Sequence, residues 1–345
     1  MDNPEQKPEF TSELRLDLAS NNWVIISKGR GKKPEAYKKI QQLSVPPSQC
    51  PFCNIDSQRK PLEVFVHGKA IENPASIPDD WTTIVVPNLF PALVPGDHIE
   101  EHTEDHLYQR ISAVGHCELV ITREHSKFFA DFTTDQIQEI IKAYKARYLA
   151  LKPKKYVNYI SIFHNNGPAA GASQPHNHCQ IITTPLVDND LTKALENASK
   201  YYNANGRCLY CDMNDYEMKQ RERVVYENEG FLITCPFASK SAFEMIISPK
   251  EHLPYFEEIT SRQVELLADA FRVVTKVFRE GIGDPDYNFY LHTSPCIEGS
   301  EYPFYHWHFT FLPKMSVEGG FELGTSMEIS TIEPEKACEF LKKFV

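Results

Sequence analysis

One pattern occurs twice in this chain, and it limits the possible folds more than any other feature. Cys50-Pro51-Phe52-Cys53 is followed by a strand pattern ending near His125, a helix signature, another strand pattern and then His176-Asn177-His178. Cys208-Leu209-Tyr210-Cys211 is followed by the same parts in the same order, through His252 to His306-Trp307-His308. The helix signatures are Thr133 with Gln136 and Thr260 with Gln263, the spacing of a capping box. Each threonine lies eight residues after the isolated histidine. Matching order over roughly 130 residues implies an internal duplication.

Helical spacing is clear in both copies. Ile137, Ile140, Ile141, Tyr144, Tyr148 and Leu151 predict a helix over residues 133–152, ended by Pro153. Val264, Leu267, Phe271, Val274 and Phe278 predict its partner. Strands are expected at residues 23–26, 83–91 (a strand with a turn), 116–122, 156–163, 242–248, 287–292 and 305–309. The fold class is therefore α+β: two copies of an antiparallel sheet, each with a packed long helix, joined into one body. The polar stretch 187–205 suggests a boundary, giving units 1–190 and 191–345. Residues 54–80 read as a surface connection and 96–110 as an acidic loop. His98, His102 and His106 in that loop would face a metal only on a helix, and its acidic run reads as solvated.

The 345 residues carry a net charge of -11, which argues against a nucleic-acid backbone as the main partner. It leaves room for a nucleotide, which needs only a local cluster of donors. No apolar run approaches the ~18 residues of a membrane span, and the first ten residues lack the basic-then-apolar signature of a signal peptide. A cytoplasmic protein that does not act in a membrane is expected. In that setting two C-x-x-C pairs read as metal or redox sites rather than a disulfide framework.

Each half offers two thiolates, an isolated histidine and the first histidine of an H-x-H. The sets are Cys50, Cys53, His125 and His176, and Cys208, Cys211, His252 and His306. Cys2His2 is a closed tetrahedral zinc set, with iron also compatible. The competing reading makes the thiols redox-active and the histidines ordinary core or surface groups.

With His176 on a metal, His178 stays free. Alternate residues of a strand lie about 6.5 to 7 Å apart on one face, so His176, His178 and Gln180 would share a face. A neutral imidazole can attack phosphorus and later leave, dividing one transfer into two steps. Gln180 and Ser173 can donate to phosphate oxygens, and the small-residue run Gly167-Pro168-Ala169-Ala170-Gly171-Ala172-Ser173 lets backbone approach a ligand closely. The alternative makes His178 a third metal ligand or a buried, hydrogen-bonded histidine. His308 is the weaker candidate, because Thr310 stands where the first copy has Gln180 and no small-residue loop precedes it.

These residues resemble the histidine-triad superfamily, and within it the galactose-1-phosphate uridylyltransferase family with its ADP-glucose phosphorylase relatives. The resemblance spans nearly the whole chain. It rests on Glu13-Leu14-Arg15 with Trp23-Val24-Ile25, Cys50 to Cys53, Asn88 to Leu93 and Glu124-His125-Ser126. It continues through Phe163 to Gln180, His292-Thr293-Ser294-Pro295 and Gly320 to Thr325. It implies a duplicated histidine-triad-like fold with two zinc sites, iron being possible at the second, and a homodimer with the site near the subunit boundary. It also implies double-displacement nucleotidyl transfer through the position of His178, between a nucleotide sugar and a sugar 1-phosphate or phosphate.

By the same resemblance, Asn165, Ser173 and Gln180 match phosphate-binding positions, and Asn88 a position near base and ribose. Arg30 and Lys33 match two basic residues near the phosphates, and Glu322 a sugar contact. The chain departs from the pattern at Asn177, where the uridylyltransferases carry proline, and at Cys179, where they carry Gly or Ser. Lys33 stands for an arginine and lacks its bidentate fork; the family's C-terminal lysine finds only Lys314. The expected activity is uridylyl transfer between UDP-glucose and a hexose 1-phosphate, in galactose metabolism. The alternatives are ADP-glucose phosphorolysis, a histidine-triad hydrolase, or a non-catalytic zinc and nucleotide-binding module.

Overall fold

A computed structural model of the chain describes residues 12–27, 44–72, 76–317 and 319–345. The first half contributes β1 (Ser12–Leu16), β2 (Trp23–Ser27), β3 (Glu63–Val66), β4 (Lys69–Ala70), β5 (Thr83–Pro87), β6 (Glu101–Glu104), β7 (Tyr108–Ile111) and β8 (Cys117–Thr122). Helix α1 (Thr134–Leu151), β9 (Tyr159–Asn166) and β10 (His178–Thr184) complete it. Two helices follow, α2 (Asn189–Asn205) and α3 (Leu209–Gln220), then β11 (Val224–Glu227), β12 (Phe231–Thr234) and β13 (Met245–Pro249). The chain ends with α4 (Ser261–Ile282), β14 (Tyr287–His292), β15 (His308–Pro313), α5 (Gly320–Thr325), β16 (Ile329–Ser330) and α6 (Pro334–Leu341).

The capping boxes form as their spacing requires. Thr133 Oγ1 accepts from the Gln136 backbone N–H at 3.3 Å while Gln136 Oε1 accepts from the Thr133 N–H at 3.0 Å. The Thr260–Gln263 pair repeats this at 3.2 and 2.8 Å. Each satisfies two donors that a helix start leaves open. Both helices bury the stripe the spacing predicts, and α1 packs on α4. Phe271 of α4 meets Phe289, Phe309 and Phe311 edge-on, with ring centroids 5.2, 4.9 and 5.0 Å away.

The two half-sheets join edge to edge. Eleven strands run in the order β11-β12-β13-β15-β14-β9-β10-β8-β5-β3-β4, and all neighbouring pairs are antiparallel. The seam is β9 against β14, pairing Asn165 with Asn288 and Asn166 with Tyr287. The core cluster continues from α1 through α4 across this seam.

Three stretches differ from their sequence reading. Residues 96–110 contain a hairpin, β6–β7, turned by Asp105 and His106 at positive φ. Both its faces meet solvent, so no alternation marks it. Its histidines are exposed and outside any metal-type cluster among the described residues. The span 54–80 holds β3 and β4, with Val64 and Phe65 buried. The polar span 187–205 is α2, capped by Asp188, with Leu191, Ala194 and Ala198 as a narrow buried stripe.

Candidate active site and metal centres

The two Cys2His2 sets assemble as the repeat predicts, each with its donor atoms within 4.8 Å of one another. In the first, Cys50 Sγ lies 3.4 Å from His176 Nδ1, and Cys53 Sγ lies 3.1 Å from His125 Nδ1 and 3.5 Å from His176 Nδ1. In the second, Cys211 Sγ lies 3.3 Å from His252 Nδ1 and 3.5 Å from His306 Nδ1. A tetrahedral zinc with Zn–S about 2.3 Å and Zn–N about 2.0–2.1 Å spaces sulfur and nitrogen roughly 3.5 Å apart. The sulfur–nitrogen edges of both clusters fit that ion.

The far nitrogen of every one of these rings meets a backbone carbonyl. His125 Nε2 donates to Val45 O at 2.8 Å, His176 Nε2 to Thr122 O at 2.6 Å, His252 Nε2 to Pro303 O at 2.7 Å and His306 Nε2 to Pro249 O at 3.0 Å. A carbonyl only accepts, so each Nε2 carries the proton and each Nδ1 presents its lone pair to the cluster. Cys208 and Cys211 sit at the N-terminus of α3.

His178, two residues beyond a ligand position, is turned the other way. Its Nδ1 donates to the His176 carbonyl at 2.9 Å, which leaves the lone pair on Nε2. It lies outside the first cluster and is 8% exposed, with the Phe52 ring 4.9 Å away. Burial pushes its imidazole below the ordinary value, and the bond to the His176 carbonyl works against that shift. β10 begins at His178. His176 therefore precedes the strand, and only His178 and Gln180 alternate within it.

On the opposite side of β10, His164 Nδ1 donates to the backbone carbonyl of His178 at 2.8 Å. This imidazole is buried among Phe129 and Phe289, and desolvation lowers its pKa to about 3, so it is neutral. The chain from β9 to β10 turns through Pro168–Ala170, with Gly167 and Gly171 at φ +83° and +85°. Asn165 and Gln180 are half-buried, and Ser173 is exposed.

The remaining expected residues are placed as follows. Asn88 Oδ1 accepts from the Phe90 N–H at 3.0 Å, at the end of β5. Glu322, on α5, accepts from the Gly319 N–H at 2.9 Å and is not among the described residues lining the main cavity. Arg30 and Lys33 lie outside the described residues. That cavity, about 890 Å³, is lined mostly by residues of the second half, Tyr210, His292 and His308 among them, and by Asn165 and Asn288 on the two sides of the seam. Volume alone would point to His308. That histidine copies the arrangement of His178, donating from Nδ1 to the His306 carbonyl at 3.2 Å with Tyr210 against its ring. It lacks the glycine loop and the glutamine, and it stacks on His292 at 4.7 Å.

Sequence reasoning missed Phe52 and Tyr210 as ring partners, and it missed the bonds of His164 to the His178 carbonyl, of Asp286 to the Ala169 N–H and of Asn288 to Asn165 Oδ1. Phe52 and Tyr210 occupy the third position of each C-x-x-C motif, so the repeat itself could have flagged them. The other three gave no local signal.

The sheet, the two capped helices and the paired H-x-H motifs together define a duplicated α+β protein of the histidine-triad kind. Residues 4–188 match the family described as galactose-1-phosphate uridyl transferase, N-terminal domain, and residues 207–320 match scavenger mRNA decapping enzyme C-term binding. The chain belongs to the galactose-1-phosphate uridyl transferase family, and it is a nucleotidyltransferase. It is 31% identical over 339 residues to an ADP-glucose phosphorylase of Arabidopsis thaliana, covering 96% of this chain and 92% of that protein. It is 26% identical over 340 residues to a galactose-1-phosphate uridylyltransferase of Thermotoga maritima, covering 96% and 98%. The crystal structure of the Arabidopsis phosphorylase with bound ADP-glucose superposes with a TM-score of 0.78 at 29% identity, covering 97% of this chain and 99% of that one. No helix among the described residues is long and apolar enough to cross a membrane.

Proposed function

We propose that the protein transfers a nucleotidyl group by double displacement through His178, as a UDP-glucose:hexose-1-phosphate uridylyltransferase with galactose 1-phosphate as acceptor. The carrying observation is the reversal of ring orientation between neighbours: His176 presents Nδ1 to the thiolates, and His178 keeps Nε2 bare. Nε2 attacks the α-phosphorus, the bond to the sugar-phosphate oxygen breaks, and the sugar 1-phosphate leaves. The nucleotide monophosphate stays on nitrogen until an acceptor phosphate oxygen displaces it. As the ring gains positive charge, its Nδ1–H bond to the His176 carbonyl strengthens toward the about 1.5–3 kcal/mol of a hydrogen bond to a charged group.

In this reading Gln180, Ser173 and Asn165 donate to phosphate oxygens. Arg30 and Lys33 neutralise them, and Asn88 lies near base and ribose. Cys50, Cys53, His125 and His176 would hold a zinc ion, and Cys208, Cys211, His252 and His306 a second ion, zinc or iron. Each is a closed structural site that supplies rigidity, and the first fixes the segment leading into His178. The units are residues 1–190, which carry the nucleophile, and 191–345. The working form is a homodimer in which Glu322 contacts the sugar near the subunit boundary.

A second reading has one observation in its favour: identity to the ADP-glucose phosphorylase is 31%, against 26% for the Thermotoga uridylyltransferase. It keeps His178 and changes the base to adenine and the acceptor to inorganic phosphate. Intact-mass measurement after incubation with UDP-glucose or ADP-glucose separates the two. A UMP adduct lost in His178→Ala supports the first reading, and an AMP adduct supports the second. No adduct from either contradicts both.

A further inference from the structure

We propose that Asn288 and Asp286, both contributed by the second half, are positioning residues for the first half's phosphate cradle: Asn288 fixes which way the Asn165 amide faces. This inference rests on the reading of His178 as the nucleotidyl carrier and of Asn165 as a phosphate donor.

The geometry leaves one solution at Asn288. Its side-chain nitrogen lies 2.8 Å from the Ala170 carbonyl oxygen and 2.8 Å from Asn165 Oδ1. A carbonyl only accepts, so the atom facing Ala170 must be the amide nitrogen. That nitrogen spends its second proton on Asn165, so the Asn165 atom facing it must be oxygen. The Asn165 Nδ2 is thereby turned away from the seam. It lies beside the glycine loop, where a Cβ on Gly171 would come within 3.8 Å of it. The donor that a phosphate oxygen would meet is therefore set from across the β9–β14 seam.

Asp286 holds the other end of the loop. Its Oδ2 accepts from the Ala169 N–H at 2.7 Å, and Gly167, at φ +83°, passes so close that a Cβ would overlap the carboxylate. The turn at Pro168–Ala170 is thus held at an N–H by Asp286 and at a C=O by Asn288. Asp286 and Asn288 bracket Tyr287, which pairs with Asn166 in the seam. A second half that lost the nucleophile's loop would in this way still serve the first half's chemistry.

The test is a double-mutant cycle on the rate of nucleotidyl-enzyme formation, run with whichever of UDP-glucose or ADP-glucose labels the wild type. Asn288→Asp puts an acceptor opposite Asn165 Oδ1 and favours reversal of that amide. Losing one oriented donor to a charged oxygen predicts a rate roughly 10- to 100-fold lower, as for Asn165→Ala. Because Asn288 acts through Asn165, the double variant should be no slower than the slower single variant, within about twofold. Multiplying effects, or an unchanged rate in Asn288→Asp, overturn the proposal. Asn288→Ser, which keeps one donor, should recover part of the rate and serves if the aspartate variant does not fold. A crystal structure of whichever variant folds is the second arm and needs no activity. In Asn288→Asp the Ala170 carbonyl should be released and the Asn165 amide reversed; in Asn288→Ser, with one donor left, one of the two contacts should be lost. An undisturbed loop and amide overturn the proposal even if no adduct forms. A wild type that forms no adduct sinks the His178 reading alone.

Discussion

The first and second halves share a scaffold and differ in what surrounds one histidine. Each has a Cys2His2 cluster whose imidazoles donate Nε2–H to backbone carbonyls, a threonine-capped helix and a second histidine of the opposite orientation. His178 is followed in its strand by Gln180 and preceded by a loop with two glycines at positive φ. His308 is followed by Thr310 and stacked on His292. On the proposed reading a correctly oriented imidazole is not sufficient, and donors for the phosphate oxygens distinguish the two. In the proposed mechanism only the first of the two frames carries the groups that transfer chemistry requires.

The sharpest way to break this comparison is to disturb one cluster at a time. Cys50→Ser loosens the frame that fixes His176 and should slow nucleotidyl-enzyme formation by at least roughly 10- to 100-fold, the loss typical when even an outer-shell partner of a metal ligand is removed. Cys211→Ser should lower the melting temperature comparably while slowing the adduct by less than about threefold, since it touches only the second frame. Equal effects on rate would mean that both clusters serve the site alike. Thermal melts and rapid-quench mass measurements on the two variants decide it.

The scaffold itself should respond evenly. Thr133→Ala and Thr260→Ala each remove one capping bond, and each should cost about 1 kcal/mol in denaturant titrations. A cost confined to one half would show that the repeat is equivalent in pattern but not in stability.

The remaining effect is electrostatic and ties β1 to the second half. Burial alone would raise the Glu335 carboxyl, but bonds from Arg15 and Arg223 outweigh it and hold the pKa at about 2. An unfolded glutamate titrates near ~4.3. The contribution is therefore present above that value and lost as pH falls toward the folded value. Glu335→Gln should be less stable than wild type at pH 7, with the gap narrowing below about pH 4. A gap that holds constant into strong acid would contradict the assignment.

Local chemistry announced most of the frame. Both C-x-x-C motifs, both isolated histidines and both capped helices were legible because each depends on a few residues at fixed spacing. The hairpin Glu101–Ile111 was not, since a strand pair wet on both faces carries no periodic mark. The α2 helix was hidden because a stripe of Leu191, Ala194 and Ala198 is too narrow to stand out among polar neighbours. The start of β10 at His178 rather than earlier follows from His176 being drawn toward Cys50 and the Thr122 carbonyl. The merging of two sheets into one, and the Asn288–Asn165 bond it creates, depend on register between strands over 100 residues apart. No local pattern encodes that register.

The central claim concerns which imidazole takes the phosphorus. Wild type, His178→Ala and His308→Ala should each be mixed with a nucleotide sugar, quenched in base and weighed intact. The account predicts one nucleotide monophosphate per chain on the wild type and on His308→Ala, and none on His178→Ala. An adduct that survives in His178→Ala, or vanishes in His308→Ala while the fold is retained, would contradict it.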